Sequence, residues 1–373
     1  MTRVYVIRHA EAEGNLYRIA QGQYDSILTD RGWRQLQALA ARFRDVHLDA
    51  VYASDLYRAR ATAGAVARPK GLAVQPRRDL REICVGEWEE KTWGEIARTQ
   101  PDQLEYFNHR GDLWHVEGGE APAAVQARML AAVREIVRMH PGETVALASH
   151  GCAIRLLLGA LQGYTLPQIG QTPNGDNTAV SLLEAEDDAI RVVYRDDASH
   201  IPAEESALSR HTTRSGSRAL EPGLYFEPGG SGPALDWICA CVRRQWAAVL
   251  PGRAWDERVL REEAPARPTL LAVQSGTPAG VVQLAPEKEA ELGCGWISLY
   301  CLDESRQNRG LGIQLLGQAV RHYRPLGRER LRLCLPEENA GAQAFFGFYG
   351  FSPVGRAEDG RLILEKDICF RPL

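Results

Sequence analysis

An arginine–histidine pair near the start of the chain is the first candidate for chemistry. Arg8 and His9 directly follow the apolar residues 4–7, and a second histidine, His150, follows the run 144–148 after one serine. An arginine holds an anion with its planar set of donors, and a histidine offers a ring nitrogen that is partly unprotonated near neutral pH. The pair therefore suits a bound phosphate. A surface pair at a strand end is the alternative that these residues alone leave open.

A second arginine, Arg58, lies near the start of a predicted helix. Ser54 or Asp55 can cap this helix, and Arg58 and Thr62 then share one face, a helical turn apart. Because anions are favoured at helix starts, Arg58 is well placed to hold a phosphate. Arg60 competes for this role, but its position on the helix points away from that face.

Strands and helices that alternate along the chain must position these residues. Residues 4–7, 50–53 and 144–148 have the length of buried strands, and helices are predicted from about residue 30 and over about 122–140. The pattern indicates an α/β fold, in which ligands bind at the carboxyl ends of the strands. Thr29 or Asp30 caps the first of these helices, and its apolar stripe comprises Trp33, Leu36, Leu39, Ala40 and Phe43.

The ordered set of residues resembles the histidine phosphatase superfamily, which has the phosphoglycerate-mutase-like fold. That family opens with Arg-His-Gly-Glu and an Asn four residues further on. Here the motif is Arg8, His9, Ala10 and Glu11, followed by Asn15, so Ala10 departs from the usual glycine. The resemblance implies a three-layer α/β/α domain over residues 1–202.

The resemblance also implies a role for each candidate residue. It chooses Glu82 as the proton donor among several carboxylates in the segment 80–90, because the family carries its donor in a Leu-x-Glu step before a Gly-x-Trp-Glu segment. Glu87, Glu89 and Glu90 are then interpreted as a solvated face. The catalytic residues are His9, Glu82 and His150, and the phosphate is held by Arg8, Asn15, Gln21, Arg58 and His150.

These groups suffice for hydrolysis in two steps. An uncharged nucleophile attacks a phosphomonoester best, and His9, expected in an open cleft, is neutral if Arg8 and Arg58 disfavour its protonated form. A phosphohistidine would form, Glu82 would protonate the leaving alkoxide, and the same carboxylate would later deprotonate water. No metal is expected, because the arginines neutralise the phosphate. A mutase would use the same pocket, and residues 86–89 favour the phosphatase branch.

Length and composition limit the classes of protein that fit this sequence. A chain of 373 residues with 45% apolar content predicts two domains. The balance of 44 basic and 48 acidic residues argues against a nucleic-acid or membrane-surface binder. With no apolar leader and no run of about 18 apolar residues, the protein is expected in the cytoplasm. Its eight cysteines lack zinc-ligand spacing and are expected to be reduced.

A second domain is predicted after a change in composition. Residues 203–222 are rich in Ser, Thr and Arg and are interpreted as a linker, which leaves 223–373 for the second domain. A helical pattern covers about 234–250. Predicted strands follow at 269–273, 280–284, 296–302 and 331–335.

The informative part of the second domain is a glycine-containing turn that opens a helix ending near Tyr323. Such a turn presents backbone N–H groups to a phosphate. Gln307, Gly310 and Gly312 give the pattern Gln-x-x-Gly-x-Gly, which resembles the acyl-coenzyme A pyrophosphate loop of the GNAT acetyltransferases. The resemblance implies an α+β GNAT fold that binds acetyl-CoA. The residues it assigns to the cofactor are Leu302, Gln307, Asn308, Arg309, Gly310, Leu311, Gly312 and Asn339.

One departure from the GNAT pattern concerns proton transfer. The position that often carries the family's acid tyrosine is Phe346, and Tyr349 lies three residues later. Acetyl-CoA is therefore expected to bind, whereas acyl transfer is expected to be slow. Tyr349 is an open alternative as the proton donor.

The sequence as a whole predicts a bifunctional protein. One domain would hydrolyse a small phosphomonoester, and the other would transfer an acyl group from acetyl-CoA to an amine. The alternatives are a mutase, or an enzyme with one silent domain that serves as a ligand-binding module. Substrate specificity is expected in loops such as 91–120, and neither a nucleic acid nor a membrane is expected as a partner.

Overall fold

A computed structural model describes residues 1–187, 189–206 and 223–369. The chain divides into two compact units, one made mainly of residues 1–206 and one mainly of residues 223–369. Most of the predicted linker, residues 207–222, lies outside the described residues. Within the described part of the chain, no helix combines the length and the apolar content needed to cross a membrane.

The N-terminal unit is built on a six-stranded sheet with the order β3-β2-β4-β1-β5-β6. The four strands β1 to β4 are parallel to one another, and β5 is antiparallel to both of its neighbours, β1 and β6. The strands are β1 (Thr2–Arg8), β2 (Ala50–Ser54), β3 (Val74–Arg77), β4 (Thr144–Ser149), β5 (Val180–Glu186) and β6 (Ala189–Asp197). The helices are α1 (Glu13–Tyr17), α2 (Asp30–Arg42), α3 (Tyr57–Ala67), α4 (Trp93–Thr99), α5 (Pro101–His109), α6 (Pro122–Met139), α7 (Gly151–Leu161) and α8 (Leu166–Ile169).

Helices cover both faces of this sheet. Ile7, Val51 and Ala146 belong to one buried cluster with side chains of α2 and α3. The alternate residues Val6 and Leu147 are also buried, and they point to the opposite face because side chains alternate along a strand. Helices α6 and α7 pack against each other, and α7 contacts β1. The three-layer α/β/α architecture predicted from the sequence is confirmed.

Two local predictions in this unit were wrong. Trp33 was placed on the apolar stripe of α2, but it is 43% exposed, whereas Leu36, Leu39 and Phe43 are buried as predicted. Helix α3 begins at Tyr57, and neither Ser54 nor Asp55 caps its first turn. Instead, the carboxylate of Asp25 accepts the Tyr57 N–H at 2.8 and 3.0 Å. That cap comes from a distant segment, so local spacing could not reveal it.

The C-terminal unit contains a seven-stranded sheet with the order β12-β13-β11-β10-β9-β8-β7. Its strands are β7 (Tyr225–Pro228), β8 (Thr269–Gln274), β9 (Thr277–Leu284), β10 (Cys294–Leu302), β11 (Arg330–Leu335), β12 (Ser352–Arg356) and β13 (Leu362–Asp367). Its helices are α9 (Gly232–Val249), α10 (Glu257–Glu263), α11 (Gly312–Tyr323) and α12 (Ala340–Phe348). This mixed sheet with helices agrees with the predicted α+β fold.

The two central strands of this sheet diverge. Strands β10 and β11 are parallel and pair over residues 294–297 and 330–333. Beyond that point, residues 299–302 of β10 pair with β9, and residues 334–335 of β11 pair with β13. Among the described residues, the pairing of β10 with β11 does not continue past residues 297 and 333, which leaves a gap between the two strands beyond that point.

Candidate active sites

Main-chain hydrogen bonds fix Arg8 and His9 at the end of β1. The His9 N–H donates to the Ser149 carbonyl at 2.9 Å, and the Asn177 side-chain amide donates to the His9 carbonyl at 2.9 Å. The Thr178 N–H donates to the Arg8 carbonyl at 3.1 Å. Parallel pairing of β1 with β4 thus brings the two strand ends together. His9 and His150 meet as a result, with their ring centroids 5.2 Å apart.

The His9 ring is arranged as a neutral nucleophile. Its Nδ1 lies 2.7 Å from the carbonyl oxygen of Ala10, which can only accept, so Nδ1 carries the proton and Nε2 keeps its lone pair. Burial, followed by the charges of Arg58 and Arg8, holds the pKa of His9 well below its ordinary value of 6.5. The prediction that both arginines disfavour the imidazolium is confirmed. The prediction of an open cleft is wrong, because His9 is only 3% exposed.

Arg58 is buried and Arg8 is half-buried, and both are only partly hydrogen-bonded. Arg58 donates to the carbonyls of Gly22 and Tyr24 at 2.7 and 2.8 Å, and Arg8 donates to the carbonyl of Gly175. Burial lowers the pKa of Arg58 to about 10. The Nε atoms of Arg8 and Arg58 are buried and have no partner among the described residues. Because buried donors are normally satisfied, these atoms are candidates to bind an anion.

His150 completes the set around His9. It follows β4, serves as the N-cap residue of α7 and is fully buried. Burial and the charge of Arg58 hold its pKa well below the ordinary value. Neither of its ring nitrogens has a partner within the described part of the chain. A neutral His150 can donate one hydrogen bond to a phosphate oxygen beside His9.

The Glu82 carboxylate sits at the start of α7, next to His150. One of its oxygens accepts the N–H groups of Ile83 and Ala153 at 3.0 and 2.9 Å, and the other accepts that of Cys152 at 3.1 Å. Its charge also acts on both Arg8 and Arg58, so it lies near the two guanidiniums. The structure therefore brings Glu82 to the predicted site.

The neighbouring carboxylates behave differently from one another. Glu87 is exposed and accepts from Gln100, as expected for a solvated face. Glu89 is half-buried, and it accepts the Gln23 N–H at 2.9 Å. Its charge also reaches Arg58. Placing Glu89 on a solvated face was therefore wrong, because the loop around Gly22 folds over it.

An arginine that sequence patterns did not single out holds the Glu82 loop. Arg128 donates to the carbonyls of Arg81 and Glu82 at 2.7 and 3.0 Å, and it pairs with both carboxylate oxygens of Glu120. Arg128 lies on α6, far along the chain from Glu82, and no spacing links the two. The pair of Arg128 and Glu120 positions the proposed proton donor through its main chain.

Two of the predicted phosphate ligands have local partners instead. The Asn15 side chain accepts the Ala12 N–H at 3.1 Å, and the Gln21 side chain accepts the Ser26 hydroxyl at 2.7 Å. Contact of Asn15 and Gln21 with a phosphate stays a prediction.

Arg60 is exposed, so the structure favours Arg58 over Arg60 as the site arginine.

The candidate site of the C-terminal unit is an exposed loop of main chain. Residues 307–310 are exposed, and Gly310 has a left-handed backbone with φ of 72°. The Gln307 side chain donates to the Leu302 carbonyl at 3.1 Å and to Gln245 at 2.9 Å, which ties the loop to β10 and α9. Helix α11 begins directly afterwards at Gly312, where the first N–H groups of a helix lack partners within it. This arrangement fits a pyrophosphate.

An aromatic cluster surrounds the position of the missing acid. Phe346 is 4% exposed, and its ring centroid lies 5.1 Å from Tyr300 and 5.2 Å from Phe351. The Tyr300 hydroxyl donates to the Gly312 carbonyl, a contact that the sequence did not suggest. Asn339, predicted to contact the cofactor, caps α12 by accepting the Ala342 N–H at 3.0 Å. Its cofactor contact, like those of Asn308, Arg309 and Leu311, stays a prediction.

Known families match both units of the chain. Residues 4–198 match the histidine phosphatase superfamily (branch 1), and residues 235–351 match the acetyltransferase (GNAT) family. Phosphoserine phosphatase 1 of Hydrogenobacter thermophilus is 30% identical over 187 residues, which cover 50% of this chain and 88% of that protein.

Two further similarities concern the N-terminal unit. Phosphoglycerate mutase-like protein 4 of Arabidopsis thaliana is 34% identical over 157 residues, which cover 41% of this chain and 68% of that protein. The solved structure of Bacillus stearothermophilus YhfR is 34% identical, covers 54% of this chain and 100% of its own, and superposes with a TM-score of 0.53.

Proposed function

Because this chain belongs to the histidine phosphatase superfamily and also carries a GNAT-family domain, we propose that it is a phosphomonoester hydrolase with a second, acyl-CoA-dependent activity. The observation that carries the first part is the buried His9 ring beside His150, on which the charges of Arg8 and Arg58 act; the buried Nε atoms of these arginines have no partner among the described residues. That set matches the charge and the hydrogen-bonding needs of a phosphate.

In the first step, the lone pair of His9 Nε2 attacks phosphorus and the ester P–O bond breaks. Arg8, Arg58 and His150 stabilise the charge on the non-bridging oxygens, and Glu82 gives a proton to the leaving alkoxide. In the second step, the Glu82 carboxylate takes a proton from water, whose oxygen attacks phosphorus as the P–N bond breaks. Inorganic phosphate leaves, and His9 is neutral again.

A mutase is the second candidate for this unit, because a phosphoglycerate mutase-like protein is among its relatives. A mutase would return the phosphoryl group to a second hydroxyl rather than to water. A screen of phosphate release over small phosphomonoesters distinguishes the two. We expect stoichiometric inorganic phosphate, and isomerised ester without free phosphate would instead establish a mutase.

For the C-terminal unit, we propose binding of acetyl-CoA and acyl transfer to an amine. The main-chain N–H groups of residues 307–312 would hold the pyrophosphate, and the gap between β10 and β11 would receive the pantetheine arm. When bound, the cofactor supplies an activated acyl thioester. Position 346 holds a phenylalanine, so the chain offers no hydroxyl there to protonate a departing thiolate.

Calorimetric titration with acetyl-CoA, alongside thiol release over a panel of amines, tests this second activity. We expect the wild type to bind acetyl-CoA with ordinary affinity and to transfer the acyl group slowly. Acyl transfer should be faster after Phe346→Tyr. Failure of the wild type to bind would refute the cofactor assignment. Equal transfer rates in both proteins would show that the missing hydroxyl does not limit the reaction.

We also infer a cytoplasmic location, which imaging of a tagged full-length chain would check.

A further inference from the structure

Residues 203–206 lie outside the part of the chain that matches the histidine phosphatase superfamily, so that match assigns them no role. They form one 3₁₀ turn and the residue after it. The first two residues are exposed, whereas Glu205 and Ser206 are half-buried. The partners of these two polar side chains lie within the N-terminal unit, and both sets of contacts lead to His9.

Glu205 connects the turn to the segment just after His9. Its carboxylate pairs with Arg34 at 2.5 Å and with Arg31 at 3.5 Å. Arg31 also pairs at 3.1 Å with Glu11, the second residue after His9. Arg31 and Glu11 are both buried, so salt screens their interaction little. The guanidinium of Arg31 therefore binds two carboxylates, one from the turn and one from the Arg-His-Ala-Glu motif.

The main chain of the turn reaches the same segment through Gln35 of α2. The Gln35 side-chain amide donates to the Glu205 carbonyl at 2.8 Å, and the Gln35 side-chain oxygen accepts the Glu11 N–H at 2.8 Å. Gln35 is fully buried, and a buried polar group that loses its partner is costly, so both ends of this bridge are constrained. Glu205 thus holds the side chain of Glu11 through Arg31 and its main chain through Gln35.

Ser206 connects the turn to His9 by a second route. Its hydroxyl donates to the Asp176 carboxylate at 2.5 Å. The other oxygen of Asp176 accepts the Asn177 N–H at 2.8 Å, and the Asn177 side-chain amide donates to the His9 carbonyl at 2.9 Å. Burial lowers the pKa of Arg8, and the charge of Asp176 is among those that oppose this shift. The carboxylate that Ser206 binds therefore influences both Arg8 and His9.

We propose that Glu205 and Ser206 are positioning residues of the phosphatase, which together fix the main chain of His9 for attack on phosphorus. The inference rests on the proposed phosphatase function. Glu205 acts through Glu11, two residues after His9, and Ser206 acts through Asn177, which binds the His9 carbonyl. Attack requires the reacting atoms to be about 3–3.5 Å apart and aligned, and a misplacement of about 1 Å can cost about 10²-fold in rate. Loss of both connections should therefore slow formation of the phosphohistidine more than it weakens substrate binding.

Single-turnover formation of the phosphoenzyme by the full-length protein tests the proposal, because it gives a rate constant and an amplitude separately. In the double variant Glu205→Ala/Ser206→Ala, the rate constant should fall by about 10- to 100-fold, while the amplitude stays unchanged and KM stays within about threefold of the wild-type value. The loss should be the same for activated aryl phosphates and for esters with poor leaving groups, because both require attack by His9.

Single variants in the same turn are the matched controls. Glu204→Ala, at the exposed neighbouring residue, should leave the rate constant unchanged. Ser206→Thr keeps the hydroxyl and should retain the wild-type rate constant, whereas Ser206→Ala should lower it by about tenfold.

An unchanged rate constant in the double variant would refute the proposal, and a lower amplitude at that unchanged rate constant would show that the turn only stabilises the fold. A loss confined to esters with poor leaving groups would also refute it, because that pattern belongs to proton donation by Glu82. A wild-type protein that forms no phosphoenzyme and releases no phosphate from any ester would refute the phosphatase function itself, and the positioning role with it.

Discussion

The two units of this chain build their candidate sites from different parts of the polypeptide. In the N-terminal unit the site consists of ionisable side chains that are buried or half-buried, among which Arg58 and His150 are at most 1% exposed. In the C-terminal unit it consists of exposed main chain at residues 307–310. Side chains can be removed one at a time, whereas a row of backbone N–H groups survives most substitutions. Single changes should therefore abolish the first activity and only weaken the second.

The largest effect is expected from removing the nucleophile. His9→Asn should lower the rate of phosphate release by about 10⁴-fold or more, because it removes the ring nitrogen that would form the covalent intermediate. Phosphate release under saturating substrate measures it. His47→Asn, at an exposed histidine that pairs with Asp49, is the control and should change nothing. Near-normal phosphate release by His9→Asn would contradict the expectation that a single change abolishes the activity of the N-terminal unit.

Removing the proton donor should have a graded effect. Glu82→Gln should slow esters with poor leaving groups by about 10²- to 10⁴-fold and activated aryl phosphates much less, because only the former need protonation. Single-turnover formation of the phosphoenzyme measures both. Glu87→Gln, on the same segment but exposed, is the matched control. The same large loss for both substrate classes would exclude Glu82 as the donor and make Glu87 the next residue to test.

Acid should destabilise the N-terminal unit through its buried histidines. The folded-state pKa values of His9 and His150 lie below the ordinary 6.5, so the unfolded chain binds more protons as pH falls below that value. The contribution of the two histidines to the free energy of unfolding is therefore fully present above about pH 6.5 and is lost on acidification. The loss reaches at most about 1.4 kcal/mol per histidine per pH unit.

Denaturant unfolding at pH 7 and pH 5 measures this effect. His9→Asn should lose less stability than the wild type over that interval. An identical loss in the two proteins would mean that His9 is not held neutral by its surroundings.

In the C-terminal unit, Gly310→Val should have the smallest of these effects. Gly310 has a φ of 72°, a conformation that costs a β-branched residue roughly 1–2 kcal/mol. Acetyl-CoA affinity should therefore fall by about tenfold, as measured by calorimetry, while phosphate release stays unchanged. Gly347→Ala, at an exposed position of helix α12 with no positive φ, is the control. Complete loss of binding would show that this loop depends on single residues as strongly as the N-terminal site does.

The sequence predicted the parts of the fold that depend on local patterns. The strands ending near Arg8 and His150 follow from apolar runs, and the parallel sheet then brings their ends together. The loop at residues 307–312 could also be predicted, because its glycines and the helix start are contiguous in the sequence.

Features that depend on contacts between distant parts of the chain could not be predicted from the sequence. Asp25 caps α3, and Arg128 holds the main chain at Glu82, although neither contact leaves a trace in residue spacing. The burial of His9 involves His150, which is far along the chain, and the inward position of Glu89 depends on how the segment near Gly22 packs against it. Such packing is decided by the folded chain as a whole.

A direct search for the phosphorylated enzyme tests the central claim that His9 acts as a nucleophile. The full-length protein is mixed briefly with a phosphate-labelled ester that it turns over, and the reaction is stopped with alkali. We predict label that is stable to alkali, labile to acid, located on the peptide containing His9 and missing from His9→Asn. Rapid turnover with no bound label, or label retained at full level in His9→Asn, would contradict the account.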